Sequence, residues 1–215
     1  MKNVVIIIGG GESFENDEKK WKFLNFGPIY YNKIKKVEKK VIRWKNELMD
    51  NLDKNLFTAA IYPVMPCLDN AKYIDWKTRF ERVLMENIEI NEIKKSDKII
   101  LHLVGHSLGG NFLQKYLGEN NLESKFNFKI GSVHFVAPCI SAGDFGETEN
   151  WENISNQCGN INIYHSKDDI VVPMQESRYY KKMLPKSKLF AFDNYGHFNE
   201  TPFLELAFNL NNFLD

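Results

Sequence analysis

The sequence predicts a single α/β domain over residues 1–215, built on a mostly parallel six-stranded sheet with helices on both faces. Three observations carry that prediction. Short apolar runs, the first of them β-branched, alternate with longer segments whose apolar residues recur at helical spacing. The first four runs stop at glycine or proline, the residues that end regular structure. The 215 residues fit one domain of ordinary size, and no internal repeat divides them.

Val4-Val5-Ile6-Ile7-Ile8 reads as a strand buried on both faces and is followed at once by Gly9-Gly10-Gly11. Residues 12–40, rich in lysine, asparagine and aromatics and broken at Gly27-Pro28, have no clear period. They are long for a strand-to-helix connection, and such loops are often functional. Val41, Trp44, Leu48 and Leu52 define the first helix. Leu56–Ile61 is a second strand, ended by Pro63 and Pro66. Trp76, Phe80, Val83, Leu84 and Ile88 give the core stripe of a helix over 74–88. Strands follow at 99–104, 130–136, 161–165 and 188–192, with an irregular polar connection expected over 138–159. Pro173 opens a helix running to Leu184, as proline is tolerated in a first turn. Phe203–Leu214 closes the chain as an amphipathic helix.

The stretch richest in chemical information is Ile99-Ile100-Leu101-His102-Leu103-Val104-Gly105-His106-Ser107-Leu108-Gly109-Gly110. An apolar strand runs into G-x-S-x-G, and apolar residues 112, 113, 116 and 117 then mark a helix. Strand, sharp turn with serine, helix is the layout that lifts a serine hydroxyl clear of the carboxyl end of a sheet. The same five residues could form a plain glycine-rich turn with a solvated serine. A serine hydroxyl is a weak nucleophile, so it needs a base within hydrogen-bond reach and an acid to orient that base. In a parallel sheet those partners sit on loops at the carboxyl ends of other strands.

Two later strand ends supply them: Ser166-Lys167-Asp168-Asp169-Ile170-Val171-Val172-Pro173 and Asp193-Asn194-Tyr195-Gly196-His197-Phe198. His197 is the preferred base. His102 and His134 fall inside strands, His106 is expected to point away from the serine, and His165 lies too close to the acid loop. Asp169, four residues before Pro173, is the preferred acid; Asp168 stays open as the alternative, with Asp144 and Asp193 behind them. The oxyanion formed on attack needs fixed N–H donors. The Leu108 amide at the start of the helix and an amide of the Gly10-Gly11 loop, Gly11 in particular, are the candidates. A dinucleotide fingerprint would want a glycine at position 14, which is Phe14.

Lysine plus arginine, 28, equals aspartate plus glutamate, 28, so no net charge favours nucleic acid or an anionic membrane. No apolar run is long enough to span a bilayer, and the first residues lack a signal peptide's long apolar region. Cys67, Cys139 and Cys158 are odd in number and include no C-x-x-C pair. A disulfide framework or zinc ribbon is not expected, and a cytoplasmic setting is. Neither a metal nor an organic cofactor is called for.

Gly105-His106-Ser107-Leu108-Gly109, the Asp168-Asp169-x-Val-Val-Pro173 loop and Gly196-His197-Phe198 together resemble the α/β-hydrolase superfamily. More narrowly, the chain is similar to small serine hydrolases of the retinoblastoma-binding protein 9 and YdeN-like kind, to which Met65-Pro66 followed by Asp75-Trp76 also fits. The resemblance spans the first strand and most of residues 41–215. It implies serine hydrolase activity on small esters or amides, with Ser107, His197 and Asp169 as the triad. Two departures stand out. Residues 12–40 look like an insertion beside the oxyanion loop, a lid or substrate wall, and Gly9 stands where many relatives have histidine. The expected activity is cleavage of a small carboxylic ester or related acyl bond through an acyl-enzyme. The alternatives are a non-catalytic binding module that meets a protein partner through 12–40, and an acyltransferase using the same serine.

Overall fold

The computed structural model describes residues 1–9, 11–12, 17–26, 43–67, 70–90, 98–140, 142, 144–198 and 203–213. In chain order the elements are β1 (Lys2–Ile8), β2 (Gly11–Glu12), α1 (Asp17–Phe26), α2 (Arg43–Asn51), β3 (Phe57–Ile61), β4 (Met65–Pro66) and α3 (Tyr73–Ile90). They continue with β5 (Ile99–His106), α4 (Leu108–Glu119), α5 (Leu122–Phe126), β6 (Phe128–Val136), α6 (Trp151–Gln157), β7 (Cys158–Ser166), α7 (Met174–Met183), β8 (Lys188–Phe192) and α8 (Leu204–Asn211). The predicted six strands form one sheet in the order β3-β1-β5-β6-β7-β8. Every neighbouring pair is parallel. All carboxyl ends therefore open on one rim.

The period of two along β1 divides the core. Val4, Ile6 and Ile8 face one layer with Trp76 and Phe80 of α3 and Phe112 and Leu113 of α4. Val5 and Ile7 face the other, with Trp44 and Leu48 of α2 and Leu206 and Leu210 of α8. These side chains are buried almost completely, each contributing about 1.5–3 kcal/mol of hydrophobic stabilisation where aliphatic or Phe. The short β2 pairs with β4, Gly11 opposite Met65. The β4 segment is fixed to α3 by two side chains: the Trp76 indole donates to the Pro66 carbonyl at 2.6 Å, and Arg79 Nε donates to the Val64 carbonyl at 3.1 Å.

Three helices escape the sequence reading. The irregular connection expected over 138–159 holds α6, where Asn150 accepts from the Asn153 N–H as a cap and Trp151 and Ile154 supply the buried contacts. Two anchors in seven residues are too few to make a period visible. Asn121 caps the single-turn α5 in the same way. Helix α1 lies in the unassigned 12–40 stretch, of which 13–16 and 27–40 are outside the described residues, as are Gly10, Val41 and Leu214. At the carboxyl terminus the helix ends at Asn211, with Phe203 as its cap residue rather than its first turn.

Candidate active site

Ser107 sits between the last residue of β5 and the first of α4 with φ 54° and ψ −118°. For a residue with a Cβ this is a strained region, of the order of 1–3 kcal/mol, that the surroundings must enforce. They do so from three sides. The Ser107 N–H donates to the Val136 carbonyl at the end of β6, 2.9 Å. A Cβ on Gly105 would lie 2.6 Å from the Gly109 carbonyl oxygen. One on Gly109 would lie 2.2 Å from the Ile8 carbonyl oxygen. Glycine at both places lets strand, helix and the end of β1 close on one another. A serine at this position of a helix ordinarily caps it with its hydroxyl. The Ser107 hydroxyl makes no capping bond. Instead Ser107 lines an open cavity of about 490 Å3 with Leu108, Cys139, Val171 and Val172. Lys72 and Asp144 belong to the same wall and pair at 3.7 Å, so Asp144 is engaged there rather than with a histidine.

The loops after β7 and β8 meet beside this elbow. His197 Nδ1 lies 2.8 Å from Asp169 Oδ2. The carboxylate can only accept, so Nδ1 carries the hydrogen, leaving Nε2 as the nitrogen not engaged by Asp169. Asp169 is itself fixed, its Oδ1 accepting from the Val171 and Val172 N–H groups at 2.8 and 3.0 Å. Its side chain is fully buried, whereas that of His197 is 9 % exposed. His165 braces the same turn, Nε2 donating to the Val172 carbonyl at 2.9 Å and Nδ1 meeting the Ser177 hydroxyl at 2.6 Å.

Asp168 does different work from its neighbour. It accepts from the Ser166 hydroxyl and from the Gly196 N–H, the latter at 3.0 Å. The Ser166 hydroxyl, which heads these bonds, holds the Asp168 carboxyl below its ordinary range. Ser166 Oγ in turn accepts from the Tyr195 N–H at 3.0 Å. Asp168 thus staples the backbone of the histidine loop and does not touch the imidazole. Asp193 lies at the surface, paired with Lys167.

Of the remaining histidines, His102 and His134 are buried in the sheet. A polar chain runs from His102 Nδ1 to Ser132 Oγ, from Ser132 to His134 Nε2, and from His134 Nδ1 to the Tyr164 hydroxyl, at 2.8, 2.8 and 2.9 Å. Burial keeps both imidazoles uncharged, pushing His102 down to about 4 and His134 to about 3. His106 reaches the histidine loop: its Nε2 lies 2.8 Å from the His197 carbonyl oxygen. The two rings are 5.0 Å apart, centre to centre. Lys45 Nζ lies 3.4 Å behind His106, at Nδ1. Sequence reasoning found neither contact.

For the oxyanion donors, Leu108 opens α4, so its N–H has no acceptor within the helix. The close approach of Gly109 to Ile8 brings the end of β1 against that first turn. Gly11 lies three residues beyond Ile8 and pairs with Met65, tying the loop after β1 to the segment that leads into α3. Among the described residues, no helix is long and apolar enough to cross a membrane.

No protein-family model and no curated protein matches the sequence. Solved structures do match. The ydeN gene product of B. subtilis aligns with a TM-score of 0.65 at 18 % identity, covering 100 % of this chain and 99 % of that one. Est1E from Butyrivibrio proteoclasticus aligns at 0.58 and 13 % identity, over 99 % and 87 %. A lipase-esterase related protein from Clostridium acetobutylicum aligns at 0.58 and 13 % identity, over 98 % and 94 %. With its parallel six-stranded sheet, its serine-bearing turn after β5 and full-length superposition on these structures, the chain has the α/β-hydrolase fold, in a compact form that resembles YdeN.

Proposed function

We propose that this protein is a serine hydrolase that cleaves a small carboxylic ester, or a related acyl bond, through an acyl-enzyme. Ser107 is the nucleophile. His197 takes its proton through Nε2 and returns it to the leaving group, and Asp169 holds the imidazole in the required tautomer and stabilises the imidazolium. The Leu108 and Gly11 amides serve as the donors that the negative charge developing on the carbonyl oxygen requires. The observation that carries the reading is the 2.8 Å bond from His197 Nδ1 to buried Asp169, made at the sheet rim where Ser107 stands with its hydroxyl free of any capping bond. A scaffold kept for binding has no need of that bond or of a strained serine. The fold, shared with Est1E and with a structure described as a lipase-esterase related protein, is consistent with the same chemistry.

Labelling with a fluorophosphonate tests the reading. Wild-type protein is expected to react and Ser107→Ala to be silent, with both folded by circular dichroism. Folded wild type that takes no label, and hydrolyses no 4-nitrophenyl ester of any chain length, overturns it in favour of a binding module. Product analysis with added alcohols and amines separates hydrolysis from acyl transfer.

A further inference from the structure

Lys45, on α2, is completely buried at the sheet rim. Its Nζ lies 3.3 Å from the Tyr62 hydroxyl and 3.4 Å from His106 Nδ1. It sits 5.3 Å and 5.1 Å from the ring centres of Trp44 and Tyr62, within range of cation–π attraction. Among the described residues no carboxylate pairs with it. Gly9 makes the space, since a Cβ there would lie 2.2 Å from Nζ. A buried ammonium without an anion is expensive, and a methionine would fill the same volume at no electrostatic cost. Stability alone does not account for a lysine here.

The hydrogen-bond logic supplies a reason. The His197 carbonyl can only accept, so the His106 Nε2 that faces it at 2.8 Å carries a hydrogen. His106 is wholly buried, and burial, with Lys45 and His197 beside it, keeps its ring uncharged. Its Nδ1 is then a bare lone pair, and the donor facing that lone pair is Lys45. We infer that Lys45 and His106 are positioning residues for the base: Lys45 Nζ donates to His106 Nδ1, which fixes the tautomer whose Nε2–H clamps the carbonyl of His197. The loop needs a clamp. Gly196 and Phe198, on either side of His197, both have positive φ, 49° and 56°. Asp168 and Ser166 hold the backbone ahead of His197, and His106 holds it at the residue itself, directly behind the Ser107 turn.

The inference rests on the proposed role of His197, and the test separates the two. In protein carrying 15N-histidine, the His106 ring is expected to appear as the neutral Nε2–H tautomer, and Lys45→Met to shift its population toward the other tautomer. That readout needs no activity. For 4-nitrophenyl acetate, His106→Phe is expected to lower kcat roughly ten- to a hundredfold with KM little changed, the order expected when a reacting group is misplaced by about an ångström. His106→Gln, whose side-chain amide can donate to the same carbonyl, is expected to recover most of that loss. An Nδ1–H tautomer in wild type, or equal losses in the Phe and Gln variants, would overturn the clamp. If wild type shows the expected tautomer but no labelling at Ser107, the hydrolase reading falls while the clamp on His197 stands.

Discussion

Replacing Lys45 by methionine should make the protein more stable in acid and less stable in alkali. Burial lowers the Lys45 pKa from 10.5 to about 7. The sign follows from proton counting. Between those two values the unfolded chain holds a proton that the folded protein has lost, so stability rises with pH, at up to about 1.4 kcal/mol per unit. Below pH 7 the folded protein carries the full penalty of the buried charge, on the order of 5 kcal/mol from the shift from 10.5 to about 7. Methionine removes that penalty but leaves His106 Nδ1 without its donor, a loss of about 1–3 kcal/mol. The variant should therefore be more stable by roughly 2–4 kcal/mol below pH 7, the difference shrinking by about 3 kcal/mol by pH 9. Urea titrations followed by tryptophan fluorescence at a series of pH values measure it, provided the denaturant slopes of the two proteins agree. Stability curves that run parallel across that window would show that Lys45 titrates as an ordinary solvated lysine, and the account of its burial would fail. A variant that is more stable yet slower would instead mark Lys45 as a site where function is kept against stability.

Two further results are expected. Asp169→Asn should lower kcat by about four orders of magnitude through the wrong imidazole tautomer, measured by single-turnover acylation; Asp168→Asn, which only slackens the Gly196 and Ser166 bonds, should lose about tenfold or less, and the reverse order would exchange their roles. Ser107→Gly should be more stable than Ser107→Ala by about 1–2 kcal/mol in thermal melts, because φ 54° with ψ −118° suits glycine and strains alanine; equal stabilities would mean the turn relaxes once the hydroxyl is gone.

The sheet and its serine-bearing turn were legible because their signals are local. Val4–Ile8 alternates between two cores, and 112, 113, 116 and 117 form one helix stripe whatever the rest of the chain does. Helices α5 and α6 were not legible, since each is held by an asparagine cap and one or two buried side chains rather than by a repeated pattern. Asp168 and Asp169 show the limit most clearly. They are adjacent and chemically identical, and the turn that gives Asp169 Oδ1 to Val171 and Val172 swings one carboxylate inward and leaves the other to staple the neighbouring loop.

The candidate residues, then, were written in the chain: a serine between glycines after a buried strand, with acid and histidine loops following in order. Which groups touch was not. His106 is the serine's neighbour in sequence and Lys45 lies on a helix sixty-one residues before it, so nothing in their sequence context announces the contact of Lys45 with His106 or that of His106 with His197. Hydrogen bonds between residues so far apart exist because the parallel sheet brings every strand end to one rim. Once there, buried polar atoms must be paired with one another, and each acceptor dictates which neighbouring atom carries a hydrogen.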